Sequence, residues 1–226
     1  MKTKFAVIMF LAIFTMSGCT YIQKSKRADE LEIENQNLQN RIAQLQKEKV
    51  KAIEHVVKQK DRELSELEKA KLELEGALKK EIGNYKAKLE MSERGLVITF
   101  LSEVFFDSGK DIIREDGKES IRRVAEVLNR DVPNSSFAIE GHTDNQSIKY
   151  SGWKTNWELS SARALAVLHY FVDECEVVPT RLSANGYGEF RPVVANDTKE
   201  NMQKNRRVEV VILPSKISKI TQEVSN

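Results

Sequence analysis

The chain has 226 residues, 40% of them hydrophobic and 31% charged, enough for one or two domains with much charged surface. Its formal net charge of +2 is too small for a basic nucleic-acid footprint, so no nucleic-acid partner is expected. Two cysteines, Cys19 and Cys175, do not make a disulfide framework.

Residues 1–18 read as a secretory signal peptide. Lys2 and Lys4 precede an apolar run from Phe5 to Met16, too short to span a bilayer as a mature helix. Ser17, Gly18 and Cys19 then resemble a bacterial lipobox, with Met16 where Leu is usual. That resemblance implies cleavage before Cys19 and its lipidation. Thr20 in place of Asp implies delivery to the outer membrane by the sorting rule of enteric bacteria. Two alternatives stand beside it: an ordinary signal peptide, and an uncleaved inner-membrane anchor. The first acidic residue is Asp29, so an anchor here carries no proton-coupling carboxylate.

Residues 19–27 form a short polar tether, and residues 28–92 a coiled-coil spacer. Leu31, Leu38, Leu45 and Ala52 recur every seven residues, with Ile42 and Val56 at the partner seam position. The pattern then slips by one residue. Ile53, Leu67 and Leu74 make one row, and Val57, Leu64 and Leu78 the other, as in a coiled coil with a skip. Asn35, Lys60 and Lys71 fall on the seam, where polar residues fix register and strand number. Such a helix of about 65 residues is ~100 Å long at about 1.5 Å per residue, and it implies a homo-oligomer. The alternative is a single amphipathic or loosely ordered charged helix.

Residues 93–213 carry the pattern of a second domain. Arg94-Gly95 breaks the helix, and Leu96–Thr99 and Val104–Phe106 are β-rich runs. A first helix starts at Asp116 with Glu119 as a capping pair, and buries Gly117, Ile121, Val124, Ala125 and Leu128. Phe137–Glu140 is the central strand. Thr155 and Glu158 box the start of a second helix that runs to about Asp173, with Trp157, Ala164, Leu168 and Phe171 toward the core. Leu182–Tyr187 and Arg207–Leu213 read as further strands, separated by a polar loop or short helix from Asn196 to Lys204. The fold class is α+β: a βαβαβ-type mixed sheet with helices packed on one face, preceded by the long coiled-coil helix. Residues 214–226 read as a mobile tail.

The strand after the first helix ends in Gly141-His142-Thr143-Asp144-Asn145, and the second helix opens with Asn156-Trp157-Glu158-Leu159-Ser160 and reaches Arg163. A strand end, a loop and a helix start make a small polar cleft. Asp144 supplies a fixed anion and Arg163 a planar fork suited to a carboxylate, so the cleft suits a zwitterion. Thr143 and Asn145 can hydrogen-bond in the same loop, Asn156 can orient it, and Leu159 can wall it. Arg206 and Arg207 are adjacent on a strand and face opposite sides, one toward the cleft and one toward an acid. His55, His142 and His169 show no metal-ligand spacing, and no nucleophile, triad or carboxylate pair is evident. No metal, cofactor or enzymatic activity is expected.

Gly141-His-Thr-Asp-Asn145, Asn156-x-x-Leu159-Ser160-x-x-Arg163-Ala164, Asn185-Gly-Tyr-Gly-Glu189, Pro192, Asn196-Asp-Thr198 and Asn205-Arg-Arg-Val208 together resemble the OmpA-like peptidoglycan-binding domain over about residues 95–213. Asn156-Trp-Glu-Leu-Ser160 and the longer loop before it look most like its MotB branch. The resemblance implies non-catalytic binding of peptidoglycan through the diaminopimelate of the stem peptide. It also implies that Asp107 borders the cleft, either as a second carboxylate or as a turn residue. The expected whole is a wall tether, anchored in the outer membrane at Cys19 with its head in the periplasm. The alternative is a flagellar-motor or envelope-complex accessory protein that anchors a protein partner at the wall.

Overall fold

The computed structural model describes residues 2–149 and 151–213, with side chains from Lys24 onward. The signal-peptide and Cys19 side chains and the tail 214–226 lie outside the described residues. The chain divides into two compact units, residues 1–57 and 58–226.

Helix α1 runs Lys2–Ala77. In the first unit the seam residues Leu31, Leu38, Ile42 and Leu45 remain about half exposed on the single chain. In the second unit the same helix changes role: its Leu67, Ala70 and Leu74, with Leu78 just past its end, are buried in the main hydrophobic core. Leu67 and Leu74 of one expected row and Leu78 of the other therefore belong to the globular core and not to a partner seam, while Ile53, Val57 and Leu64 of the same rows stay exposed on the single chain. Ion pairs from Lys69 to Asp131 (3.3 Å) and from Arg130 to Glu73 (3.1 Å) fasten this segment beside the third helix.

The helix expected to reach Ser92 ends earlier. A short helix α2, Lys79–Gly83, follows α1, and Tyr85 turns the chain with a left-handed φ of 58°. Residues Ala87–Ser92 then form strand β1, paired antiparallel with β2, Gly95–Leu101. The residues of β1 are mostly good helix formers, but Ala87, Leu89 and Met91 alternate inward against the β2 edge, and pairing overrides local propensity.

The sheet has the order β1-β2-β5-β3-β4. Only β3, Ser136–His142, and β4, Leu182–Gly186, are parallel, joined by helix α4, Asn156–Asp173. Strand β5, Arg207–Leu213, lies between β2 and β3 and is antiparallel to both. The core residues of α3, Glu115–Asp131, and α4 join Leu96, Ile98, Phe137, Ile139, Val208 and Val210 in one cluster on one face of the sheet. On the opposite face Val97, Ala138 and Val211 make a small second cluster.

Several local expectations change. Val104–Phe106 is not a strand: Ser102–Val104 is a 3-10 turn, and Phe106 makes one bridge to Ile113. Helix α3 begins at Glu115 after Arg114, which makes no side-chain cap. Thr155 does cap α4 by accepting from the Glu158 N–H, while the Glu158 carboxylate accepts from the N–H of Lys154. Trp157, expected in the core, is 47% exposed and stacks on Phe190. Residues Lys199–Asn205 form the short helix α5, capped by Thr198.

Candidate functional site

Two glycines let α4 lie close on the sheet. A Cβ at Gly141 would stand 2.1 Å from the Ser160 carbonyl oxygen, and one at Gly186 would stand 2.1 Å from Ser161 Oγ. This approach brings the first two turns of α4 beside the end of β3. The loop after β4 is pinned into the same place. The Thr143 N–H donates to the Gly188 carbonyl (2.9 Å), the Gly188 N–H to Ser160 Oγ (2.9 Å), and the Tyr187 N–H to the Gly141 carbonyl (2.9 Å).

Asp144 is buried at this junction. One carboxylate oxygen accepts from the Gln146 N–H (3.1 Å), and the other lies 2.5 Å from Arg206 Nη1. Arg206 is thus the cleft-facing member of the arginine pair, and Arg207 turns to the other face, where its Nε donates to Glu209 (2.6 Å). The two are not both on a strand: Arg206 caps the end of α5 and Arg207 opens β5. Asn156 is buried, and its Nδ2 donates to the carbonyl of Gln146 (3.1 Å) and to Glu189 (2.5 Å). It ties the Asp144 loop to the loop after β4, a link the Glu189 motif position alone does not reveal.

Arg163 is buried as well. Its Nε donates to the Lys110 carbonyl (2.9 Å) and its Nη2 to the Asp107 carbonyl (3.2 Å), and the guanidinium lies 5.2 Å from the Phe106 ring centre. Among the described residues no carboxylate forms an ion pair with it. Burial, and then the positive charge of Arg206, lower its pKa from 12.5 to about 10, opposed by Asp111 and Asp144. The result is a desolvated cation whose protein partners are neutral carbonyls.

The other candidates fall around these two. Leu159 is buried, and Thr143 is buried with a hydroxyl that has no hydrogen-bond partner. Asn145 is exposed. Asp107 does not turn its carboxylate to the cleft: that group pairs with Lys110 (3.2 Å) and Arg114 (3.5 Å), and its carbonyl holds Arg163. Its place fits the turn-residue alternative.

His142 lies on the opposite face. Glu140, His142 and Glu209 offer ligand atoms within 4.8 Å of one another. The two carboxylates are already committed: Arg94 Nη2 lies 2.8 Å from Glu140 and 3.3 Å from Glu209, which also pairs with Arg207. Burial and then Arg207, Arg94 and Arg191 push the His142 pKa down to about 3. Three guanidiniums around a neutral imidazole make this a poor place for a further cation. Burial pushes the Cys175 thiol up to about 11, which leaves it no nucleophilic thiolate at neutral pH.

A strand end, a helix start and a pinned loop that present a buried acid and a buried arginine define a small polar binding module on an α+β sheet. The OmpA family model matches residues 105–206. The chain is 32% identical over 213 residues to the uncharacterized protein YtxE of Bacillus subtilis, covering 93% of this chain and 84% of that protein. It is 38% identical over 149 residues to Motility protein B of Bacillus subtilis, covering 66% of this chain and 57% of that one. Of solved structures, a MotB-like protein from Desulfovibrio vulgaris matches with a TM-score of 0.62 at 25% identity, over 69% of this chain and 98% of that one. The cell wall anchor of the T6SS from Pseudomonas aeruginosa matches with a TM-score of 0.57 at 26% identity, over 63% and 97%. The chain belongs to the OmpA family and carries an OmpA-like peptidoglycan-binding domain. Among the described residues no helix is long and apolar enough to cross a membrane.

Proposed function

We propose that the cleft between β3 and α4 binds the zwitterionic end of diaminopimelate in the peptidoglycan stem, without catalysis. The observation that carries this reading is Arg163, a buried guanidinium with carbonyl partners only. Its position near Asp144 lets a ligand carboxylate neutralise it while the ligand ammonium meets the Asp144 carboxylate. Arg206, which holds Asp144 in the free protein, then shares or yields that carboxylate. Thr143 Oγ1, Asn156 and Leu159 complete the wall of the cleft, and Asn145 lies at its rim.

Around this head the chain acts as an envelope tether. Lipidated Cys19 holds one end in the outer membrane, and α1 spaces the head from it. The exposed apolar row through Leu31, Leu38 and Leu45 pairs with further copies of the chain, and paired heads raise avidity without new contacts. A second reading, favoured by the 38% identity to Motility protein B and the likeness to the T6SS wall anchor, has the same head anchor a protein complex at the wall.

The test is co-sedimentation of the full chain with purified diaminopimelate-type peptidoglycan, beside Asp144→Ala and Arg163→Ala. Binding by the parent and loss by both folded variants supports the reading; failure of the parent to sediment sinks it. Metabolic labelling with a palmitate analogue, beside Cys19→Ala, tests the lipid anchor.

A further inference from the structure

Beside the cleft stands an aromatic pair that the binding of an amino-acid end does not use. Trp157 and Phe190 are 47% and 61% exposed, yet their rings stack with centres 5.1 Å apart and planes 21° from parallel. Two stacked rings left open to water make a small exposed apolar patch, and their positions are fixed by the backbone beneath them. That backbone is shared with the cleft. Trp157 follows Asn156 and Phe190 follows Glu189, and Asn156 and Glu189 are joined by the hydrogen bond that closes the cleft (2.5 Å). The turn that carries Phe190 is locked by its own N–H on the Tyr187 carbonyl (3.2 Å) and by Gly188 with a left-handed φ of 54°. A Cβ at Gly188 would meet the Trp157 backbone nitrogen at 3.3 Å, so the two segments touch there.

The geometry points to a sugar subsite: the Trp157–Phe190 stack is a platform for a pyranose ring of the glycan strand, adjoining the cleft that takes the stem peptide. The C–H bonds on one face of a pyranose form a weakly positive apolar surface. That surface complements the negative face of an indole or phenyl ring, while the hydroxyl and acetamido groups at its rim meet water and polar side chains. Stem peptide and glycan are covalently joined, and a stem of a few residues spans on the order of 10 Å at full extension. A domain that holds the peptide end therefore has the sugar within reach of the rings. The inference rests on the proposed wall-binding function for its ligand, and its test separates the two.

The probes are a diaminopimelate-containing stem tripeptide, the same peptide bearing its disaccharide, and a peptide-free chitooligosaccharide. Each is titrated into 15N-labelled full chain, and the two indole N–H signals are followed. Trp153 donates its Nε1–H to the Gly109 carbonyl (3.0 Å) and serves as the internal reference, assigned with Trp153→Phe. The Trp157 signal is expected to shift with the disaccharide-peptide and the chitooligosaccharide. The disaccharide-peptide is expected to bind about fivefold tighter than the bare peptide. Trp157→Ala and Phe190→Ala should erase that difference and leave the affinity for the bare peptide unchanged. No Trp157 response to either sugar-bearing probe overturns the subsite, whatever the bare peptide does. Equal loss of all three ligands in Trp157→Ala also overturns it, since the residue then only supports the cleft. A parent that ignores the bare peptide but answers to the chitooligosaccharide refutes the diaminopimelate cleft and keeps the platform.

Discussion

Replacing Arg163 with Met separates a binding residue from a structural one. Burial and its charged neighbours bring the Arg163 pKa from 12.5 to about 10, equivalent to about 3 kcal/mol against the cation. On the other side stand two hydrogen bonds to carbonyls, at about 1 kcal/mol each. The Phe106 ring adds about 0.5–1 kcal/mol. The two sides nearly cancel. Asp144 keeps Arg206 as its partner and is not orphaned by the change. Arg163→Met should therefore alter the stability of the free protein by less than about 1 kcal/mol, whereas breaking a buried ion pair costs about 3–5 kcal/mol. Urea unfolding followed by circular dichroism measures this. Repeating it with a diaminopimelate stem peptide at 100 times its dissociation constant should raise the parent's stability by about 2.7 kcal/mol and leave the variant unmoved. A loss above about 3 kcal/mol in the free variant, or an undiminished ligand shift, would refute the reasoning.

Further outcomes follow from the same contacts. Gly141→Ala places a Cβ against the Ser160 carbonyl, a backbone atom with no rotamer to yield, and should cost about 3 kcal/mol and weaken wall binding as α4 is displaced. Gly76→Ala, in α1 with nothing within 4 Å, should instead stabilise by about 0.5–1 kcal/mol in the same unfolding assay. Leu74→Ala should cost about 2–5 kcal/mol by denaturant midpoint, because Leu74 is fully buried in the core of the head. His142 stays neutral in the fold with a pKa near 3 against 6.5 when free, so the native state binds the fewer protons. Its contribution is complete above pH 6.5 and is lost as pH falls toward 3, about 2 kcal/mol between pH 7 and 5, and His142→Gln should flatten that slope.

The sheet, its two main helices and the cleft were largely legible because their signals are local. Phe137–Glu140 and Arg207–Leu213 are apolar runs of strand length, and Thr155 with Glu158 marks a helix start that the structure reproduces. The end of the long helix was not legible. Ala87–Ser92 has helix-forming residues, and only the β2 edge, reached through tertiary folding, makes it a strand. Likewise Leu67 and Leu74 keep seven-residue spacing, yet the core of the head takes them up, so periodicity alone cannot tell a partner helix from a domain. A fragment begun at residue 93 would lack β1 and these core leucines. Helical spacing puts Trp157 on one side of α4 with Ala164, Leu168 and Phe171, yet its ring stacks on Phe190 and stays 47% exposed. Arg206 is the cap residue between α5 and β5, so its direction against Arg207 depends on how the chain passes from that helix into the strand.

The division of labour in the cleft is tested most directly by calorimetric titration of the full chain with two stem peptides, one with a free diaminopimelate carboxylate and one with that carboxylate amidated. The parent should bind the free form and lose most of its affinity for the amide, while Arg163→Met should bind both equally weakly. Equal binding of the two peptides by the parent would contradict the assignment of Arg163 to the ligand carboxylate.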